Sequence, residues 1–196
     1  LMSSYPPEEV RDDYIPKAEY LDRAFHELEK EHLWPRVWQN AGRLSEIPGI
    51  GDYLVYEICD ESIIVVRTGD DEVKAFHNVC PHRGNLLVEG KGNARQFVCS
   101  FHGWRFGTDG RNIKVIDRQD WGSCLSREDT DLVPVKAGIW GGWVWINMDP
   151  DCQPLEQFLD PLRSMCDLFE FEKLHPAWYK SVIVPANWKT TMGAFT

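Results

Sequence analysis

The sequence predicts a mainly β fold, an antiparallel sandwich or barrel of short strands preceded by one helix and followed by a further helical segment. Three observations carry this reading. Between Tyr53 and Asn147, apolar and β-branched residues come in short runs separated by Gly, Asp and Asn turn signals. Residues 17–34 instead place Leu21, Phe25, Leu28 and His32 or Leu33 at helical spacing between Pro16 and Pro35. Helical spacing returns after residue 150, where Leu155, Phe158, Leu159, Leu162, Met165, Cys166 and Phe169 are read on one face.

The elements follow in order. One amphipathic helix covers 17–34. Strands follow at Tyr53–Ile58, Ser62–Thr68 and Val73–Val79, with Gly69-Asp70-Asp71-Glu72 closing a hairpin between the last two. Shorter strands are expected at Gln96–Cys99, Trp104–Phe106, Asn112–Val115, Leu132–Lys136 and Gly142–Asn147. A helix is expected over 155–169, with Asp160-Pro161 acting as its cap or as a kink. Trp178–Val184 reads as a strand, and Asn187 as the cap of a last helix. The chain divides accordingly into a helical extension (1–48), the sandwich (49–150) and a connection to the next unit (151–196).

Composition bounds the function. The 196 residues are 43% apolar and 27% charged, which fits a folded domain and excludes a mainly disordered chain. The longest nearly uncharged apolar stretch, Ala137–Met148, is about twelve residues against the ~20 that a spanning helix needs, so no membrane association is expected. The first residues have neither a basic start nor an apolar run, so the expected location is the cytoplasm. A net charge of −10 disfavours nucleic acid as a partner. That charge is segregated, because residues 1–31 carry nine acids and four bases while residues 80–114 carry six bases and two acids. Six cysteines in a reducing compartment favour metal binding by a subset over three disulfides.

Two segments can bind metal: Cys80-Pro81-His82-Arg83-Gly84 and Cys99-Ser100-Phe101-His102-Gly103-Trp104. Each offers one sulfur and one imidazole nitrogen. A tetrahedral zinc could accept two cysteines and two histidines, but zinc fingers take both cysteines from one turn and both histidines from one helix. Mixed donors within each loop suit two adjacent metals of unlike demand. Cys80 and Cys99 would hold one iron and His82 and His102 the other, which is the Rieske [2Fe–2S] arrangement.

Here the chain resembles the large (alpha) subunits of Rieske non-haem iron oxygenases, the aromatic-ring-hydroxylating dioxygenases. The resemblance rests on the ligand pairs, Arg83-Gly84, Gly92-Asn93, the run Phe101-His102-Gly103-Trp104, the early Trp34 and Trp38, and Asn187-Trp188-Lys189. It implies a Rieske β-sandwich followed by the beginning of a helix-grip catalytic domain. It further implies a mononuclear Fe(II) whose ligands lie beyond Thr196, and NAD(P)H used indirectly through a ferredoxin or flavin reductase. A homotrimer or an α3β3 assembly is implied, as is a small aromatic or related apolar substrate that is hydroxylated with O2. By this resemblance the 196 residues are the N-terminal portion of an oxygenase and contain no catalytic residue themselves. A free-standing Rieske ferredoxin is the alternative, and would need neither the first helix nor the residues after about 150.

Charge counting explains the histidines. Two thiolates and two bridging sulfides balance two ferric ions, so the oxidised cluster is neutral, whereas four thiolates leave it doubly negative; the Rieske cluster therefore accepts an electron more readily, at about −150 to +300 mV. High-potential respiratory Rieske proteins add hydroxyl donors and a disulfide between the loops. This chain has Trp104, Phe106, Asn85 and Phe101 at those places, so a potential toward the negative end is expected.

Arg83 and Trp104 are expected beside the cluster, fixing the loop and shielding it from water. Cys59, Cys124, Cys152 and Cys166 are expected to be small buried hydrophobes. His77 reads as an ordinary strand histidine, and His26 and His32 as surface residues. Arg83, Lys91, Arg95, Arg105, Arg111 and Lys114 are candidates for docking an acidic electron donor.

Overall fold

The computed structural model describes residues 16–116 and 118–193. Residues 1–15, on which the leader reading rests, lie outside the described residues. The expected first helix is two: α1 (Ala18–Leu21) and α2 (Arg23–His32). Asp22 separates them, because its extended backbone ends the first helix while its carboxylate accepts a hydrogen bond from Ala24 N at 2.9 Å and caps the second.

The β structure runs β1 (Gln39–Arg43), β2 (Asp52–Ile58), β3 (Glu61–Gly69), β4 (Glu72–His77), β5 (Lys91–Asn93), β6 (Gln96–Val98), β7 (Arg105–Gly107), β8 (Asn112–Lys114), β9 (Pro134–Trp140) and β10 (Trp143–Asn147). Seven strands form one antiparallel sheet in the order β1-β10-β9-β4-β3-β2-β5, and β6-β7-β8 form a second. Strand β1 falls inside the segment read as a helical extension, and β5 had no strand signal. Both depend on distant partners, Gln39 pairing with Ile146 and Tyr53 with Gly92.

Strand β3 lies inside the large sheet with apolar layers on both faces, which explains its continuous buried run Ile63–Val66. Ile63 and Val65 join Leu54, Val144 and Ile146 on one face. Ile64 and Val66 face the small sheet, meeting Phe76, Phe97, Trp104 and Phe106. Phe97 and Phe106 sit directly opposite each other and are fully buried, so alternation along β6 and β7 sends their intervening neighbours outward. Cys80 and Cys99 belong to this same inter-sheet layer.

The expected helix over 155–169 is interrupted at Asp160-Pro161, giving α3 (Leu155–Leu159), α4 (Leu162–Cys166) and a 3-10 turn at Asp167–Phe169. The expected strand Trp178–Val184 is not formed. Among the described residues it has no ladder partner, and Trp178, Tyr179 and Ile183 are exposed, so β-propensity there is not converted into a strand. The last helix, α5 (Trp188–Met192), forms as expected, with Asn187 capping Lys189 N. The four other cysteines depart from expectation. Cys59 and Cys124 are exposed and Cys152 and Cys166 half-buried, because they sit in turns and at short-helix ends rather than on inward-facing strand positions.

Candidate metal centre

The two ligand-bearing loops have the same backbone frame. Cys80 N donates to Asn85 O at 2.8 Å and Gly84 N to Cys80 O at 2.9 Å; Cys99 N donates to Trp104 O at 2.8 Å and Gly103 N to Cys99 O at 2.9 Å. In both loops the glycine lies four residues after the cysteine, with φ of 71° at Gly84 and 70° at Gly103, a region that suits glycine. The first loop joins β4 to β5 and the second joins β6 to β7, so each sheet contributes one cysteine and one histidine. Asn85 Nδ2 bridges them by donating to Ser100 Oγ at 3.2 Å.

The donors meet by type. Cys80 and Cys99 are 1% and 2% exposed and lie in the same buried cluster. The rings of His82 and His102 lie nearer the surface, with centroids 4.7 Å apart. Among the described residues, no three His, Cys, Asp or Glu side chains converge where a single ion would sit. A sulfur pair beside an imidazole pair fits two metals whose remaining coordination is supplied by bridging sulfide, which is what a [2Fe–2S] cluster requires.

Electrostatics differ between the sulfur and imidazole sides. Burial pushes the Cys80 thiol above its ordinary range, with Cys99 adding to the rise, while the backbone N–H groups of His82 and Arg83 work against it. Those two amides favour a thiolate at Cys80. Burial, then His102 and Arg83, lower the pKa of His82, which keeps its imidazole neutral and able to offer a nitrogen to a metal.

Trp104 is 3% exposed and stacks on His82 with centroids 5.0 Å apart and planes 6° apart. Arg83 is exposed, and its guanidinium makes no hydrogen bond or ion pair among the described residues. His77 ends β4 and pairs with Glu61 at 3.2 Å, away from the donor set. Two residues had no clear sequence signal. Buried Asn78 donates to Ser62 Oγ and Val88 O and accepts from Leu87 N and Val88 N, tying both ends of the first loop together. Trp121 packs edge-on against His82, 5.6 Å between centroids, from a turn after β8.

Residues 37–122 match the family described as the Rieske [2Fe-2S] domain. Similarity continues well beyond that segment. The carnitine monooxygenase oxygenase subunit of Escherichia coli (strain K12) is 36% identical over 185 residues, covering 89% of this chain and 47% of that protein. The chain is homologous to the N-terminal portion of Rieske oxygenase alpha subunits. The glycine betaine monooxygenase oxygenase subunit of Chromohalobacter salexigens is 32% identical over 179 residues, covering 91% of this chain and 40% of the relative. The crystal structure of the quaternary ammonium Rieske monooxygenase CntA in complex with L-carnitine superposes with a TM-score of 0.83 at 30% identity, covering 92% of this chain and 52% of that one. Naphthalene 1,2-dioxygenase from Rhodococcus sp. gives a TM-score of 0.72 at 30% identity over 79% of this chain and 36% of its own.

The chain spans about half the length of the curated relatives it matches. Their similarity across both flanks of the Rieske segment favours the oxygenase reading over a free-standing ferredoxin. The expectation of aromatic catabolism gains no support from the curated relatives, which are named for carnitine, glycine betaine and methanesulfonate. Among the described residues no helix is long and apolar enough to cross a membrane.

Proposed function

We propose that this chain is the electron-receiving portion of the terminal oxygenase of a multicomponent system, and that Cys80, His82, Cys99 and His102 hold its Rieske cluster. The pairing of two buried sulfurs with two less buried imidazoles on two equivalent loops carries the reading. Bound there, the cluster supplies one-electron redox chemistry. The residues of the chain do the rest. Cys80 and Cys99 anchor the sulfur side within the inter-sheet layer, His82 and His102 present the other side near the surface, and Trp104 keeps water from one face of His82.

The electron source is an acidic ferredoxin or flavin reductase fed by NAD(P)H, and the destination is a mononuclear iron in a part of the protein beyond Thr196, in a trimeric assembly with or without small subunits. The division at 1–48, 49–150 and 151–196 follows from the same reading, as does a cytoplasmic location. The donor would approach the outer face of β6-β7-β8, where Val98, Arg105 and Lys114 form one cross-strand row beside exposed Phe101 and Ile113. Lys91 and Arg111 are drawn away by Glu46 and Asp109. Of the substrate classes, the names of the relatives favour a small quaternary ammonium compound over an aromatic ring.

Iron and acid-labile sulfide analysis tests the cluster. Two of each per chain are expected, falling steeply in Cys80→Ser or His102→Ala; a lone zinc without sulfide would overturn the reading. The activity is tested with the protein extended past Thr196. Reductase-dependent O2 uptake with carnitine or glycine betaine is expected, and uptake with naphthalene alone would overturn the substrate class.

A further inference from the structure

His82 is walled in and His102 is not. The ring of His82 stacks on Trp104 and meets the edge of Trp121, with centroids 5.6 Å apart and planes at 80°. Trp121 also stands edge-on to Trp104, at 6.1 Å and 75°. Outside His82, the aromatic neighbour of His102 is Phe101, which is 58% exposed. One imidazole therefore packs against two indoles from separate segments, whereas the other, apart from His82, meets an aromatic ring of its own loop only.

The Trp121 turn is itself well held. Residues Arg118–Trp121 form a 3-10 turn, and Arg118 donates to Leu125 O at 3.3 Å. Ser126 and Asp129 cap each other through Ser126 Oγ to Asp129 Oδ2 at 2.6 Å and Asp129 N to Ser126 Oγ at 3.2 Å. At the far end, Asp131 accepts from Asn112 N at 2.7 Å, joining the segment to β8. Trp121 and Leu125 pack against the apolar layer that contains Cys80, Cys99 and Trp104. An indole presented this way restricts rotation of the His82 ring about its long axis and excludes water from its side.

We infer that Trp121 is a positioning residue that fixes the orientation and hydration of His82, one of the two imidazole ligands. The inference rests on the cluster assignment proposed above. Ring orientation enters the magnetic anisotropy of the reduced cluster. Hydration enters its potential, because water stabilises the more negative, reduced form.

The test uses the cluster-loaded chain with Trp121→Ala, Trp121→Leu and Trp121→Phe, and exposed Trp178→Phe as a handling control. Iron and sulfide content, the electron paramagnetic resonance spectrum of the reduced cluster and the midpoint potential are measured for each. Ala and Leu are expected to keep iron and sulfide while broadening or splitting the resonance and raising the potential; Phe, which restores an aromatic edge, is expected to return both toward the parent. Should the Ala chain fail to load, Leu against Phe decides alone. A Leu variant with a parental spectrum and potential would overturn the inference while leaving the cluster reading intact. A parent without sulfide would overturn the cluster reading instead.

Discussion

At the scale of single residues, the amide of Asn78 satisfies partners on both sides of the first ligand loop, donating to Val88 O at 2.8 Å and accepting from Leu87 N at 3.0 Å. Asn78→Ala would strand buried backbone groups, so a loss of about 3 kcal/mol in urea unfolding is expected, with lower iron retention. An unchanged urea midpoint would remove this account. The glycines make a sharper contrast. A Cβ at Gly110, where φ is 84°, would lie 2.3 Å from Phe76, whereas at Gly84 nothing lies within 4 Å. Gly84→Ala therefore meets only the left-handed strain of about 1–2 kcal/mol, and Gly110→Ala adds a core clash of about 1–3 kcal/mol. Equal losses in the two variants would count against it. Trp104 and Phe106, buried where hydroxyl donors would raise the potential, lead to an expected midpoint below about +100 mV by redox titration.

Elements were legible where their signal is local. The β2-β3-β4 meander and the Asn187 cap were visible in the sequence, because each rests on residues near one another in the chain. Strand β1 was not, since Gln39-Asn40-Ala41-Gly42-Arg43 has no alternation and becomes a strand only by pairing with β10, about a hundred residues on. Trp178–Val184 failed in the opposite direction, having the propensity without a neighbour. The most informative pairing between elements is α2 with α5. Glu29 is buried on α2, and the Lys189 ammonium of α5 reaches it while facing the rings of Tyr20, Phe25 and Trp188. Removing one member of a buried pair leaves the other uncompensated, so Lys189→Met should cost about 3 kcal/mol, with part of that recovered in the double variant with Glu29→Gln. A fully additive cycle would deny the coupling. Glu46 ties the turn before β2 to Lys91 of β5. Burial tends to raise its carboxyl, but Lys91 and Arg43 N outweigh that and hold it low. The stabilisation is therefore complete at neutral pH and fades as pH falls through the depressed value, a slope that Glu46→Gln should flatten in acid titrations of stability.

Over the whole molecule, charge is divided in a way that bears on the proposed docking of an acidic electron donor. A net charge of −10 would repel an acidic donor, yet the outer face of the small sheet sets Arg105 directly opposite Lys114. Like charges facing each other across strands are unfavourable for folding, so this row costs stability unless an anionic surface neutralises it. Phe101 and Ile113 beside it add apolar surface that a partner can cover, and the ligand loops lie at the same end. Steering of this kind acts on the encounter rate and is screened by salt, whose Debye length shrinks to about 10 Å at 0.1 M. Stopped-flow bleaching of the oxidised cluster by an acidic ferredoxin should therefore slow about tenfold from low to high salt. Arg105→Gln with Lys114→Gln should lower the low-salt rate and flatten the salt dependence without moving the midpoint. Arg111→Gln should change little, because Asp109 already neutralises that side chain. A salt-independent rate, or equal losses in the Arg105/Lys114 and Arg111 variants, would place the docking surface elsewhere.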